Sequence, residues 1–192
     1  MWLQRSWVIA IAGSALLPGA ASSQAKVLST VSSPLIAAAA TGTISVSIAS
    51  GAIQSLSGVV DNAPNNFPST VGITLTWDLA PSTGDVQVIG YFSNPTAAMT
   101  SGPVSIPSSW MRGRVLTTGV QGAPTTYTAF TQSGAGGVGS AGGSLLLFRQ
   151  PILGNSKTGT LTVDLQLQLD LTGRTLAAGS YTGTLNIRAV SQ

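Results

Sequence analysis

Five side chains in this sequence carry a carboxylate: Asp61, Asp78, Asp85, Asp164 and Asp170. There is no Glu, no His and no Cys. A serine or cysteine nucleophile activated by histidine is therefore excluded. Zinc sites, which draw almost entirely on Cys and His, are excluded as well, and so are disulfides. The route left to an enzyme is a carboxylate pair, which in glycosidases stands about 5 to 10 Å apart. Asp164 and Asp170 fail this test, because six residues of extended chain separate them by about 20 Å. Asp78 and Asp85 flank the turn at residues 80–84, where they either approach each other or stand solvated, as turn aspartates commonly do. Asp61-Asn-Ala-Pro-Asn-Asn66 offers one carboxylate where a tight calcium site uses several, and reads as a turn. Gly134-Ala-Gly136-Gly-Val-Gly139 matches a dinucleotide-binding string, but the apolar run Leu145-Leu-Leu-Phe148 follows in place of the helix whose N-terminus would hold a pyrophosphate. No catalytic residue, cofactor or metal is expected, and the chain does not read as an enzyme.

Binding chemistry has one candidate. In Ile106-Pro-Ser-Ser-Trp-Met-Arg-Gly-Arg114, the residues Trp110, Arg112 and Arg114 stand close together, and Trp beside Arg is a composition typical of interface hot spots. The competing reading is a tryptophan that plugs the end of a core. The pairs Thr74/Thr76, Thr160/Thr162 and Thr182/Thr184 lack a regular repeat and read as β-propensity. Charged residues are only 7% of the chain, 8 basic against 5 acidic, in place of the roughly 25% of an average domain. No basic stripe exists for phosphate contacts, so nucleic acid is not an expected partner.

These residues need a scaffold, and the patterning is that of strands. Residues 1–25 read as a secretory signal peptide, with Arg5 as the charge, an apolar run from Trp7 to Leu17, and small residues before a cut. Ser23 and Ala25 suit cleavage after Ala25, with Gly19 and Ala21 as the alternative pair. Loss of this leader leaves 7 basic and 5 acidic side chains, a net charge of +2. No stretch is long enough to span a bilayer as a helix. Residues 26–41 read as a low-complexity N-terminal arm, and 42–192 as the folded domain.

Leu161, Val163, Leu165, Leu167, Leu169 and Leu171 alternate with polar residues, the period of a half-buried strand. Val71 to Leu79 alternates in the same way, and Asp85 to Ser93 follows across a Pro/Gly turn as a hairpin partner. Further strands are expected at 42–49, 53–60, 127–132, 144–150 and 181–190, and the proline-containing stretch 61–69 is expected to be a loop. Abundant strands, 23 Gly for turns and no helical period predict an all-β, immunoglobulin-like antiparallel β-sandwich.

Leu176-Ala-Ala-Gly179-Ser-Tyr181 has the spacing of a tyrosine corner, which in Greek-key sandwiches opens a penultimate strand. Here the sequence stops soon after that strand, so one strand is expected to be missing, leaving an edge that another segment must cover. On these residues, and on the Ala178-Gly179-Ser180-Tyr181 turn, the chain resembles the pilins of chaperone-usher fimbriae and the related spore-coat-U-like secreted proteins. It departs from many of those pilins in ending on Ala189-Val-Ser-Gln192, without an aromatic residue near the end. The resemblance implies an incomplete sandwich completed by an arm from a neighbouring subunit. The matching arm is Gly42-Thr-Ile44-Ser-Val46-Ser-Ile48, with Ile44, Val46 and Ile48 entering the neighbour's groove, a form of β-augmentation.

Two functions are expected on this basis. The first is a secreted, cell-surface structural or adhesive subunit that assembles by strand exchange; its partners are further copies or another surface subunit, with a periplasmic chaperone in transit. The alternative is a self-contained secreted sandwich, with 42–49 as its own first strand, that binds a glycan, surface or protein through loops around Trp110.

Overall fold

The computed structural model describes residues 23–31, 42–79, 84–131, 137–140, 144–152 and 157–191. Residues 1–22, residues 32–41 and the first half of the glycine string 134–139 lie outside the described residues. Within them the chain forms twelve strands: β1 (Gln24–Val31), β2 (Gly42–Ser50), β3 (Ile53–Ser57), β4 (Pro64–Leu79), β5 (Gly84–Phe92), β6 (Met99–Ser101), β7 (Val104–Ile106), β8 (Met111–Val115), β9 (Thr128–Ala129), β10 (Leu145–Ile152), β11 (Thr158–Asp170) and β12 (Ser180–Ser191). One turn of 3-10 helix, Ser108–Trp110, precedes β8.

Two sheets result, in a sandwich. The first runs β10-β5-β12-β1-β3, with β6 beside the start of β12 and β7 beside β6; the second runs β2-β4-β11-β8-β9. The long alternating strand foreseen at Leu161 is the centre of the second sheet. Val163, Leu165, Leu167 and Leu169 are fully buried, as are Val71, Ile73 and Leu75 on β4 and Leu185 and Ile187 on β12. Period-two alternation places each set on an inner face, and two such faces make the core. Phe130 fills one end: its ring meets Phe92 edge-on, with centroids 5.4 Å apart. It is seated against Gly90 of one sheet and Gly113 of the other, where an added Cβ would stand 3.0 to 3.1 Å from the ring.

Three departures from expectation bear on how the sheets are completed. Residues 64–70 are strand, not loop, and Phe67 is fully buried. The prolines misled because Pro64 is the first residue of β4, and Pro68 lies in a bulge between the pairs Asn66/Gln168 and Thr70/Gln166, so neither position needs an N–H for the ladder. The stretch 42–50 is an edge strand of the chain's own second sheet, in register with β4 from Gly42/Leu79 to Ser50/Gly72.

The third departure concerns the vacant place beside the last strand. It is taken by β1, whose residues the sequence analysis divides between the leader and the arm. β1 runs parallel to β12, from Gln24/Ser180 to Val31/Ile187, and antiparallel to β3, from Gln24/Ser57 to Leu28/Ile53. Ala25, Val27 and Ser29 point inward and are buried, while Leu28 on the outer face is exposed.

Candidate binding groove

The tyrosine corner is present and ties β1 to the body. The Tyr181 hydroxyl donates to the Ala177 carbonyl at 2.9 Å, and the ring is buried; burial pushes the phenol's pKa up. The same carbonyl accepts from the Ser23 hydroxyl at 3.2 Å, and the Gln24 amide donates to Gly179 O at 2.9 Å. Gly179 itself has no room for a side chain, since a Cβ there would stand 2.7 Å from the Ser101 hydroxyl oxygen. Leu176 is buried and its amide donates to the Asp61 carboxylate at 2.8 Å. Asp61 is thus a tie between two loops.

The other aspartates divide between structural roles. Asp78 is exposed on β4 in the second sheet, and Asp85 is on β5 in the first, ion-paired with Arg149. The residues between them, 80–83, lie outside the described residues. Asp164 is exposed, and its backbone amide donates to the Thr117 hydroxyl at 2.9 Å. Asp170 is buried, at 5% exposure, and lies apart from Asp164 along the same strand. No group of three or more His, Cys, Asp or Glu side chains that could hold a metal occurs among the described residues.

Asp170 belongs to the cluster that the 108–114 segment helps to build. The end of β11, the loop after it and β8 enclose an open groove of about 500 Å³ lined by Pro64, Arg112, Tyr127, Gln168, Asp170, Thr172 and Arg174. β8 pairs with β11 so that Arg112 lies opposite Gln168 and Arg114 opposite Gln166. Alternation then sends both arginines to the outer face, while Met111, Gly113 and Val115 turn inward. Arg112 Nη2 meets Asp170 Oδ2 at 2.5 Å. The other carboxylate oxygen accepts from the Thr172 hydroxyl at 2.7 Å and from the Thr172 amide at 3.0 Å. These two bonds hold the Asp170 carboxyl below the usual carboxylate range; Arg112 and Arg174 act in the same direction and burial opposes them.

The remaining arginines rest on aromatic rings. Arg174 stacks over Trp110 with its guanidinium carbon 4.9 Å from the ring centroid, and Arg114 stacks over Tyr127 at 4.6 Å. Their hydrogen bonds go to neutral oxygens: Arg174 Nη1 donates to the Asp170 carbonyl at 3.3 Å, and Arg114 donates to Gln166 Oε1 from Nε at 3.1 Å and from Nη2 at 2.8 Å. Gln168 is fixed by donating to Asn66 Oδ1 at 2.8 Å. Two covered polar atoms have no hydrogen-bond partner among the described residues at this site, Arg112 Nε and Tyr127 Oη.

The three binding candidates in the sequence take different places in the structure. Arg112 lines the groove. Trp110 is half-buried, packs on the core and is covered by Arg174, so it supports the groove from behind. Arg114 supports it through Tyr127. Arg174 and Tyr127 were not singled out in the sequence, because they lie sixty-two and fifteen residues from Arg112 and only the pairing of β8 with β11 and β9 gathers them. Ile44, Val46 and Ile48 stand elsewhere, the first two buried and the third half-buried under the second sheet, in their own chain's core.

No family model matches this chain, and no curated protein matches it. Among the described residues, no helix is long and apolar enough to cross a membrane.

Proposed function

We propose that this chain is an exported, immunoglobulin-like sandwich that closes on itself and serves as an extracellular binding module, with the groove around Arg112 and Arg174 as its recognition surface. The observation that carries this reading is the position of β1. It pairs along eight residues with β12 and along five with β3, so the edge that a neighbour's arm would fill is already occupied from within. The segment with the strongest arm-like pattern, 42–50, is also used internally. A near absence of charge and the lack of His, Cys and Glu suit binding in an exposed compartment better than acid-base or nucleophilic catalysis.

Strand exchange has one observation in its favour. β1 separates β12 from β3, so the same slot accepts an identical strand from a second copy without any change in register. Its inward residues are small, and the buried Ser29 hydroxyl has no partner among the described residues.

Secretion also bears on β1. Ser23 and Ala25 are buried parts of the fold, so cleavage after Ala25 removes the beginning of the strand, whereas cleavage after Ala21 leaves it whole. The test is to measure the intact mass and the light-scattering mass of the exported protein. A monomer beginning at Ser22, whose truncation to residue 42 unfolds, supports the self-closed module. A polymer that dissociates when β1 is removed, and re-forms with an added peptide of residues 22–31, replaces it with strand exchange.

A further inference from the structure

We propose that the groove recognises the carboxylate of an acidic saccharide, a uronic acid-type unit; this rests on the reading of the chain as a monomeric binding module. Two guanidinium groups, those of Arg112 and Arg174, line the groove beside one acid, Asp170, and a third, that of Arg114, lies against the ring of its Tyr127 wall. Only Arg112 is ion-paired there. Arg114 and Arg174 are held by ring stacking and by neutral oxygens, which fixes their positions without cancelling their charge. The site therefore carries an excess positive charge in a chain that has very few charges, and it is complementary to an anion.

Asp170 does not supply that anion's chemistry in full, because its two oxygens are already engaged by Thr172 and by a single Arg112 nitrogen. Arg112 Nε remains without an acceptor, and so does the Tyr127 hydroxyl. Polar atoms left in this condition carry a cost that a ligand relieves. A carboxylate has the planar geometry that a guanidinium fork matches, and its second oxygen is an acceptor for a phenol lining the same groove. Both orphan atoms are covered, so the ligand reaches them through a shift of the half-exposed Arg112 side chain. The openness of the groove and its hydroxyl and amide lining, Thr172 and Gln168, suit a hydroxyl-rich ligand better than an apolar acid.

The test is calorimetric titration of the monomeric protein with trigalacturonate, maltotriose as the neutral counterpart, and inorganic phosphate as a simple anion. The expected result is saturable binding of trigalacturonate, at least about tenfold weaker binding of maltotriose, and no displacement by equimolar phosphate. Tyr127→Phe is expected to weaken binding about tenfold while leaving the urea midpoint unchanged or raised, since the lost hydroxyl has no bond in the free protein. Arg174→Gln is expected to weaken it at least as much. Absence of binding, equal binding by Tyr127→Phe, or displacement by equimolar phosphate overturns the proposal. None of these outcomes affects closure by β1, which light scattering reads independently.

Discussion

β1 and β2 are neighbours in the chain and opposites in the fold. β2 carries large inward residues, Ile44, Val46 and Ile48, yet among the described residues it is an edge strand bonded only to β4. β1 carries Ala25, Val27 and Ser29, yet it is enclosed between two strands and its inward positions are at least as buried. The difference teaches that burial of a strand has two sources. β2 is held by the apolar volume it places in the core, while β1 is held by two hydrogen-bonded ladders and by the tyrosine corner that anchors its start. A strand of the second kind contributes little hydrophobic pattern to the sequence and still completes the sheet.

The comparison is open to attack by mutation. Val27→Asp puts a carboxylate in the fully buried centre of β1, with strands on both sides and no path to water; a loss of about 4 kcal/mol is expected, read as a collapse of the urea midpoint. Val46→Asp, on an edge strand where the side chain can turn toward solvent, is expected to cost about 2 kcal/mol in the same assay. If Val46→Asp leaves the monomer's midpoint unchanged but dissolves oligomers, then β2 is the exchanging arm and the contrast drawn here is wrong. Tyr181→Phe removes the corner's hydroxyl from the Ala177 carbonyl, which keeps only the Ser23 bond; about 1 kcal/mol is expected, measured by urea unfolding.

The smallest effect belongs to the groove end and depends on pH. Folding lowers the pKa of Asp170 below the unfolded value of about 3.9, chiefly through the Thr172 hydroxyl. Folding therefore favours the ionised form. That contribution is complete above the unfolded pKa and is lost as pH falls through the lower, folded one. Asp170→Asn is expected to flatten the decline in stability between about pH 5 and pH 3, and to leave Arg112 free of its ion pair. An unchanged acid limb in urea titrations at those pH values would show that other carboxylates dominate it.

Much of this molecule is readable in the chain. The alternations at 71–79 and 161–171 name their inner faces residue by residue, because period two is enforced by strand geometry wherever one face is wet. The tyrosine corner is legible because Leu176, Gly179 and Tyr181 act within six residues of each other. Segment 108–114 stands out in the sequence, and its Arg112 lines the groove. The short strands β6, β7 and β8 are not foreseen, since three to five residues carry too little pattern to separate from loop. The groove is half legible: Arg112 is named, while Arg174 and Tyr127 come from distant segments.

The sequence by itself determined that the chain is all-β, that its inner faces are those of the alternating strands, and that histidine, cysteine and glutamate chemistry is absent. These follow from local rules, in which each residue's type and its immediate spacing decide the outcome. Which strand lies beside which was decided only by the tertiary structure. Alternation shows that a face is buried but not against what, so it cannot place 42–50 at an edge, 24–31 in the gap beside β12, or Arg112 and Arg174 beside Asp170. Those are long-range pairings, set by which arrangement of all the strands satisfies their backbone hydrogen bonds together.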